Sequence, residues 1–440
     1  MRALVIALMF TLLGLLAAPA IHAQVGSGPI KIQIVGAEQV SPIAVSDLKN
    51  LAGDDDHKVS TVFVDTLRRD LTLSGYFRLI DPASYIENAQ SSGYDVGQFN
   101  FGDWSSLNAE FLVKGAVTRS AGKVQVEALL FDVGQQRRMM GRKFNGVPNE
   151  VSEMARRFAD AVMEAVTGQK GPFATKMAFV GIRGSRFKEI YTSWLDGGTP
   201  VRLTDNPTIN LFPDISGDGR HILYLSYKTM TPMLYLADTQ SRTEISLAPS
   251  LGMAVGGVLT ADGRIVAAYS RGGATNLYLL DSQGSELKSL TATHGLNVDP
   301  AVCANGSLLA FASDRSGDPQ IYTMDLAGGS VHRITYQGNY NTAPALSPDC
   351  KKIAYESRIG GSFQILEISA AGGSPKQLTS EGNNQGPAWS ADGRYIAFSS
   401  RRGGSAQIYL MLAADGRITG DLTKGEGDDT SPSLSAWVGE

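Results

Sequence analysis

Few side chains in this chain could do acid–base, nucleophilic or metal chemistry, and they are scattered. Beyond Ala23 the histidines are His57, His221, His294 and His332, at unrelated spacings. A histidine-based triad or metal cluster has little to draw on. No Gly-x-Ser-x-Gly elbow is present; Gly360-Gly361-Ser362 and Gly403-Gly404-Ser405 both lack the second glycine. Asp218-Gly219 and Asp392-Gly393 are adjacent pairs, which suits a tight turn with positive φ better than catalysis. The two cysteines, Cys303 and Cys350, are expected as free thiols. A disulfide is the alternative, because spacing alone does not say whether their Cα atoms come within bonding distance.

The elements that carry these residues repeat. The stretch GPAWSADGRYIAFSSRRGG (Gly386 to Gly404) reads as strand, Asp-Gly turn, strand and glycine-rich loop. Copies stand at Ile215 to Ser226, Leu259 to Ser270, Val302 to Ser313 and Leu346 to Ser357. Aligned on Ser216, Thr260, Cys303, Ser347 and Ser390, they recur every 43 or 44 residues, and a truncated copy places Ser435 45 residues further on. That period, with several short strands per unit, is the mark of propeller blades. KMAFVGIRG, near the start of the repeats, matches a second strand rather than a first. Pro432 to Trp437 is one strand too many at the other end, so the C-terminal strand should complete the first blade and close the ring.

Ahead of the repeats the texture differs. Residues 1–23 have a charged start, a short apolar run and small residues up to Ala23, as in an export signal cleaved there; cleavage after Ala20 is the rival. Residues 24–34 read as a mobile arm. Residues 35–167 form a small α/β domain, with a strand over Lys31 to Val40 at its start and helices over Val59 to Ser74 and Asn149 to Val166. In the second helix, Arg156-Arg157 is assigned to the solvated face. Residues 168–172 are a short linker and 173–440 the repeats. The fold class is an α/β N-terminal domain followed by an all-β six-bladed propeller. A net charge of −4 argues against binding nucleic acid through its phosphates.

Loops rich in Asn, Asp, Gln and Thr converge on one channel mouth: 205–210, 291–299, 336–342, 380–385 and 425–431. A rigid scaffold with converging loops is a usual binding arrangement. The same loops hold Asp299, Glu381 and Asp429, the candidates for a channel-bound Ca²⁺.

Five motifs carry a resemblance: SGYFRLIDP (Ser74 to Pro82), FGDW (Phe101 to Trp104), FLVKGAV (Phe111 to Val117), TGQKGPF (Thr167 to Phe173) and PAWSADGRYIAF (Pro387 to Phe398). With the repeats, they resemble the TolB family, periplasmic propeller proteins of the Tol–Pal system. Three positions depart from the family pattern. MARRFAD (Met154 to Asp160) lacks a histidine usual there, Cys350 replaces a turn glycine, and Gly257 replaces a first-strand proline. The resemblance implies a monomeric non-enzyme without cofactor or membrane span. It would bind the lipoprotein Pal at the propeller mouth and TolA through the N-terminal arm, supporting outer-membrane integrity and constriction at cell division. The implied Pal contacts precede the first-strand prolines: Ile209, Asn210, Leu211, Phe212, His294, Asn297, Val298, Asp299, Asn341, Thr342, Asn384 and Gln385. The implied TolA contacts are Gln24, Val25, Pro29, Ile30 and Ile32. The rival from another class is a periplasmic propeller enzyme, such as a Ca²⁺-dependent lactonase-like hydrolase.

Overall fold

The computed structural model describes residues 40–51, 57–184, 186–247, 249–425 and 427–438. The expected export signal, its cleavage after Ala23, and Gln24, Val25, Pro29, Ile30 and Ile32 of the arm lie outside these, as does nearly all of the strand expected over Lys31 to Val40.

The N-terminal region is a sheet backed by two long helices. Its strands are β1 (Ser41–Val45), β2 (Lys49–Asn50), β3 (Phe77–Leu79), β4 (Phe111–Ser120), β5 (Lys123–Asp132) and β6 (Arg137–Gly146), in the order β3-β1-β4-β5-β6 with β2 on β4. The β4–β5 hairpin turns at Ala121-Gly122, both left-handed. Helix α1 (His57–Leu73) buries Val59, Phe63, Leu67 and Leu71. Helix α2 (Phe101–Ser105) is short, and α3 (Val151–Thr167) buries Val151, Met154, Phe158, Val162 and Val166. Both long helices present apolar residues every three or four positions, the spacing that puts them on one face. Gly168, at φ 76°, ends α3 because a left-handed cap costs glycine no Cβ clash.

Six four-stranded antiparallel sheets follow. Blade two comprises Asn210–Ile215, His221–Thr229, Thr231–Asp238 and Glu244–Leu247, and blades three to six start at Met253, Asn297, Asn341 and Asn384. Blade one joins Thr175–Gly181, Glu189–Trp194 and Val201–Arg202 to Asp429–Trp437, the last strand of the chain, which pairs antiparallel with Thr175–Gly181. The ring therefore closes between two distant stretches of chain, as the repeat phase requires. Each turn glycine of the repeat (Gly219, Gly263, Gly306 and Gly393) has φ between 68° and 81°, so Asp-Gly and Asn-Gly are there for backbone geometry. The charged residue at or just beyond the end of strand two is also spent on structure. Arg183, Lys228, Arg315 and Arg402 each lie over a pair of aromatic rings of their own blade.

One continuous apolar core joins the two regions: Phe63, Leu67 and Phe158 pack with Phe173, Met177, Tyr395, Leu410 and Leu412. Burying each such side chain contributes roughly 1.5–3 kcal/mol. Polar contacts fix the angle. The Tyr395 hydroxyl donates to Ser74 O (2.8 Å), Arg394 Nη2 to Lys170 O (2.7 Å) and Trp437 Nε1 to Gly171 O (2.8 Å). Asp160 receives the N–H groups of Phe173 (2.7 Å) and Ala174 (3.0 Å), and burial lifts its carboxyl to about 7.

The solvated arginine pair of α3 is corrected here. Arg157 is indeed exposed and bonds Glu153, but Arg156 is buried and holds both carboxylate oxygens of Asp196 in blade one, at 3.0 and 2.9 Å. A helical wheel counts a guanidinium as solvated unless a partner charge is known, and this partner arrives from another domain.

Candidate functional site

Each blade begins with a strand that descends from the mouth, and in four blades its first residue is an asparagine. Asn210, Asn297, Asn341 and Asn384 are wholly buried. Their amides donate to the preceding blade: Asn210 to Lys188 O (3.0 Å), Asn297 to Thr275 O (3.0 Å), Asn341 to Gln320 Oε1 (2.9 Å) and Asn384 to Gln364 Oε1 (2.8 Å). Threonines complete the network. Thr335 Oγ1 receives Ile321 N–H and donates to Gln320; Thr379 does the same with Ile365 and Gln364. A buried amide with its hydrogens engaged has none to offer a partner. The four asparagines, expected as partner contacts, therefore tie adjacent blades together beneath the mouth.

Two residues later the backbone turns left-handed. Phe212, Asp299, Ala343, Gly386 and Ser431 have φ of 50°, 50°, 47°, 61° and 55°, and each precedes a proline. Proline pushes the residue before it toward extended backbone, and L-residues avoid positive φ, so four of these five positions carry strain of about 1–3 kcal/mol each. A register shift in the ladder falls at the same place in each of these blades. Strain repeated in register around a ring is a feature of the site: it tips the side chains at and before these positions toward the channel. Blade three departs, having Ala254 where the others have a polar residue and Gly256-Gly257 where they have the left-handed residue and proline.

The channel enclosed has a volume of about 1220 Å³. Of the expected contacts, Leu211, Phe212, Val298, Asp299, Thr342 and Gln385 line it. Ile209 and His294 are exposed but stand outside the lining. Leu296 and Tyr340, outside the expected set, line it as well, and together with the expected Ile209 and with Met253 they form a series. These four exposed apolar residues each stand one position before the start of the buried register in successive blades two to five. The signal was available: an apolar residue directly before the asparagine, recurring with the repeat.

Carboxylates dominate the channel's charge. Asp214 accepts Leu259 N–H (2.6 Å) and Ser433 Oγ–H (3.1 Å), yet burial raises its pKa to about 6. Glu356 accepts Gly386 N–H (2.8 Å); burial first, and the Asp299 charge after it, push it up to about 7. Asp299 meets channel water while protein walls surround it; those walls raise its pKa, and Ala343 N–H at 3.2 Å opposes the rise.

The three Ca²⁺ candidates do not assemble. Asp429 is buried and bonded to Arg183 Nε (3.0 Å), Glu381 is exposed away from the lining, and Asp299 alone faces the channel. Among the described residues no group of three His, Cys, Asp or Glu side chains is placed to hold a metal ion. No helix among them is long and apolar enough to cross a membrane.

Comparison with known proteins matches this geometry. A TolB amino-terminal domain model covers residues 29–139 and a TolB beta propeller domain model covers residues 163–438. The Tol-Pal system protein TolB of Desulfosudis oleivorans is 35% identical over 256 residues, 58% of this chain and 58% of that protein. Its counterpart from Syntrophotalea carbinolica is 36% identical over 208 residues, 47% of each. The matched stretch thus spans about half the length of these curated relatives. In fold, the crystal structure of TolB from Acinetobacter baumannii superposes with a TM-score of 0.78 at 23% identity, covering 91% of this chain and 97% of that one. A chain of the nidogen/laminin complex superposes with a TM-score of 0.50 at 11% identity, over 60% of this chain and all of that one.

Proposed function

The chain belongs to the TolB family, and on that premise we propose that it is a non-enzymatic, periplasmic interaction protein of the Tol–Pal system. It receives the lipoprotein Pal in the propeller mouth and TolA through the arm around Gln24 to Ile32. In this role it links the envelope layers, supporting outer-membrane integrity and constriction at cell division. The observation that carries the Pal assignment is the ring of left-handed pre-proline positions, which sets Phe212 and Asp299 at the channel rim on rigid backbone. A rim fixed before binding loses little conformational freedom when a partner seats, so more of the contact energy appears as affinity. Exposed Phe212, Leu296 and Tyr340 supply apolar contact, and Asp299 supplies a charged acceptor.

The test is the affinity of Asp299→Ala for purified Pal lacking its lipid. A charge-assisted hydrogen bond contributes roughly 1.5–3 kcal/mol, so binding should weaken by about ten- to hundredfold. Asp299→Asn keeps the tolerance of positive φ and the oxygen that receives Ala343 N–H, and isolates the charge. Unchanged Pal affinity in both variants, with normal thermal unfolding, rejects the assignment of Asp299.

A further inference from the structure

The two cysteines stand in adjacent blades, each inside a strand-joining turn. Cys303 holds the serine position that opens the turn of blade four, and Cys350 holds the turn-glycine position of blade five. In the other turns that glycine has φ of 68° to 81°; Cys350 adopts φ 61° with a side chain present. A non-glycine residue there is strained, so its side chain asks for an explanation. The register of the propeller gives its surroundings. Between blades five and six, a Cβ built on the turn glycine Gly393 would lie 3.6 Å from the ring of Pro348, the residue directly after the serine position of the preceding blade. The same register sets Cys350 against Ala304 and its neighbour Cys303. The two thiols are close enough to perturb each other's ionisation, while each makes its hydrogen bonds elsewhere, Cys350 to Pro348 O at 3.9 Å. Cys303 is buried and donates to Asn305 Oδ1 at 2.8 Å, whereas Cys350 is half-buried and reachable from outside.

We propose that Cys303 and Cys350 are a modification site: a thiol pair that a disulfide oxidant converts into an interblade disulfide between blades four and five. The pairing explains why a cysteine occupies a glycine position, since the strained backbone is what points the Cys350 Cβ at the neighbouring blade. The exposed Cys350 sulfur, as thiolate, attacks the oxidant's disulfide, expelling one thiolate and leaving a mixed disulfide. The Cys303 thiolate then attacks the Cys350 sulfur and expels the second. Two protein thiols lose two electrons and two protons, and one oxidant disulfide becomes two thiols. Position sets that order, whereas ionisation slows the first step and favours the second. Contact with Cys350 and Ser307 holds Cys303 below the usual thiol pKa despite its burial, and burial with the Cys303 contact lifts Cys350 to about 11. The accessible thiol is thus the one that meets the oxidant, and the buried one is the better resolving thiolate.

The experiment uses the full-length chain after export, purified under reductant, exchanged into oxidised glutathione, then denatured and treated with N-ethylmaleimide. The expected result is loss of both reactive thiols, a mass two hydrogens lower, and a proteolytic peptide pair joined at Cys303 and Cys350 that reductant separates. Cys350→Gly restores the repeat's own residue and should fold, keep one alkylatable thiol and yield no such pair. Two alkylatable thiols after oxidation, a glutathione adduct that persists on the folded chain, or disulfide-linked dimers in place of the internal bond would each overturn the proposal.

Discussion

Replacing Arg156 tests how the two regions are held together. Its guanidinium bonds both oxygens of Asp196 and lies 4.8 Å from the Trp194 ring, with its charge and the carboxylate nearly sealed from water. Arg156 Nε and Nη1 are buried without a hydrogen-bond partner, so Asp196 and Trp194 are what compensate this charge. In Arg156→Met, Asp196 would keep only the half-exposed Arg69 at 3.6 Å and Gly198 N–H at 3.1 Å. Removing one partner of a buried pair costs about 3–5 kcal/mol, because the other charge stays buried without compensation. The remaining Arg69 contact points to the lower end, about 3 kcal/mol. Burial, with Asp196 close by, holds the carboxyl of the nearby Asp70 well above the usual range. Urea unfolding followed by tryptophan fluorescence reads the loss. Arg156→Met with Asp196→Asn, which removes both charges, should recover about 2 kcal/mol relative to the sum of the single variants. A loss under about 1 kcal/mol in Arg156→Met, or strict additivity in the double variant, refutes the reasoning.

Glu356 should make stability depend on pH. Its pKa rises from 4.5 to about 7 on folding, so the native state holds the proton more tightly. Stability is then greatest below 4.5 and falls through to pH 7, by roughly 3 kcal/mol in total. Glu356→Gln should accordingly stabilise at pH 8 much more than at pH 5, and an equal effect at both rejects the burial argument. Ending the chain at Thr430 removes most of the strand that seals blade one and should yield insoluble protein or a much lower melting temperature; an unchanged melting curve would deny the closure a structural role. Tyr395→Phe deletes the hydroxyl that reaches Ser74 O across the domain interface and should cost about 1–2 kcal/mol in the same urea assay, with no change in Pal affinity.

What could be read from the chain depended on whether the cause was local. Turn glycines announce themselves because positive φ excludes most other residues, and so the blade period was plain from Gly219 to Gly393. Helices α1 and α3 lie within two residues of the stretches expected from apolar spacing alone. Arg156 was misread because its partner Asp196 comes from the propeller, and no local pattern records a charge delivered by another domain. The asparagines show a subtler limit. Loop polarity fits an exposed contact and a buried tie equally well, and only the fold reveals that Gln320, Thr335 and Asn341 converge. Conversely, Leu296 and Tyr340 were left out of the expected contacts, although their loops were assigned to the mouth, because single exposed apolar residues are ordinary; their significance rests on sharing one register in neighbouring blades.

The pairing of Asp429–Trp437 with Thr175–Gly181 also bears on the order of assembly. Blade one opens the propeller in sequence yet is the last to be finished, because its inner strand follows blade six. Until that strand arrives, Thr175–Gly181 presents an open sheet edge, and the core it shares with α1 and α3 lacks the part supplied by Leu434. Loop-closure entropy over so long a separation makes such pairing slow. A half-delivered chain would thus be a target for capture or degradation, and cooperative folding would begin only once the final strand is in reach.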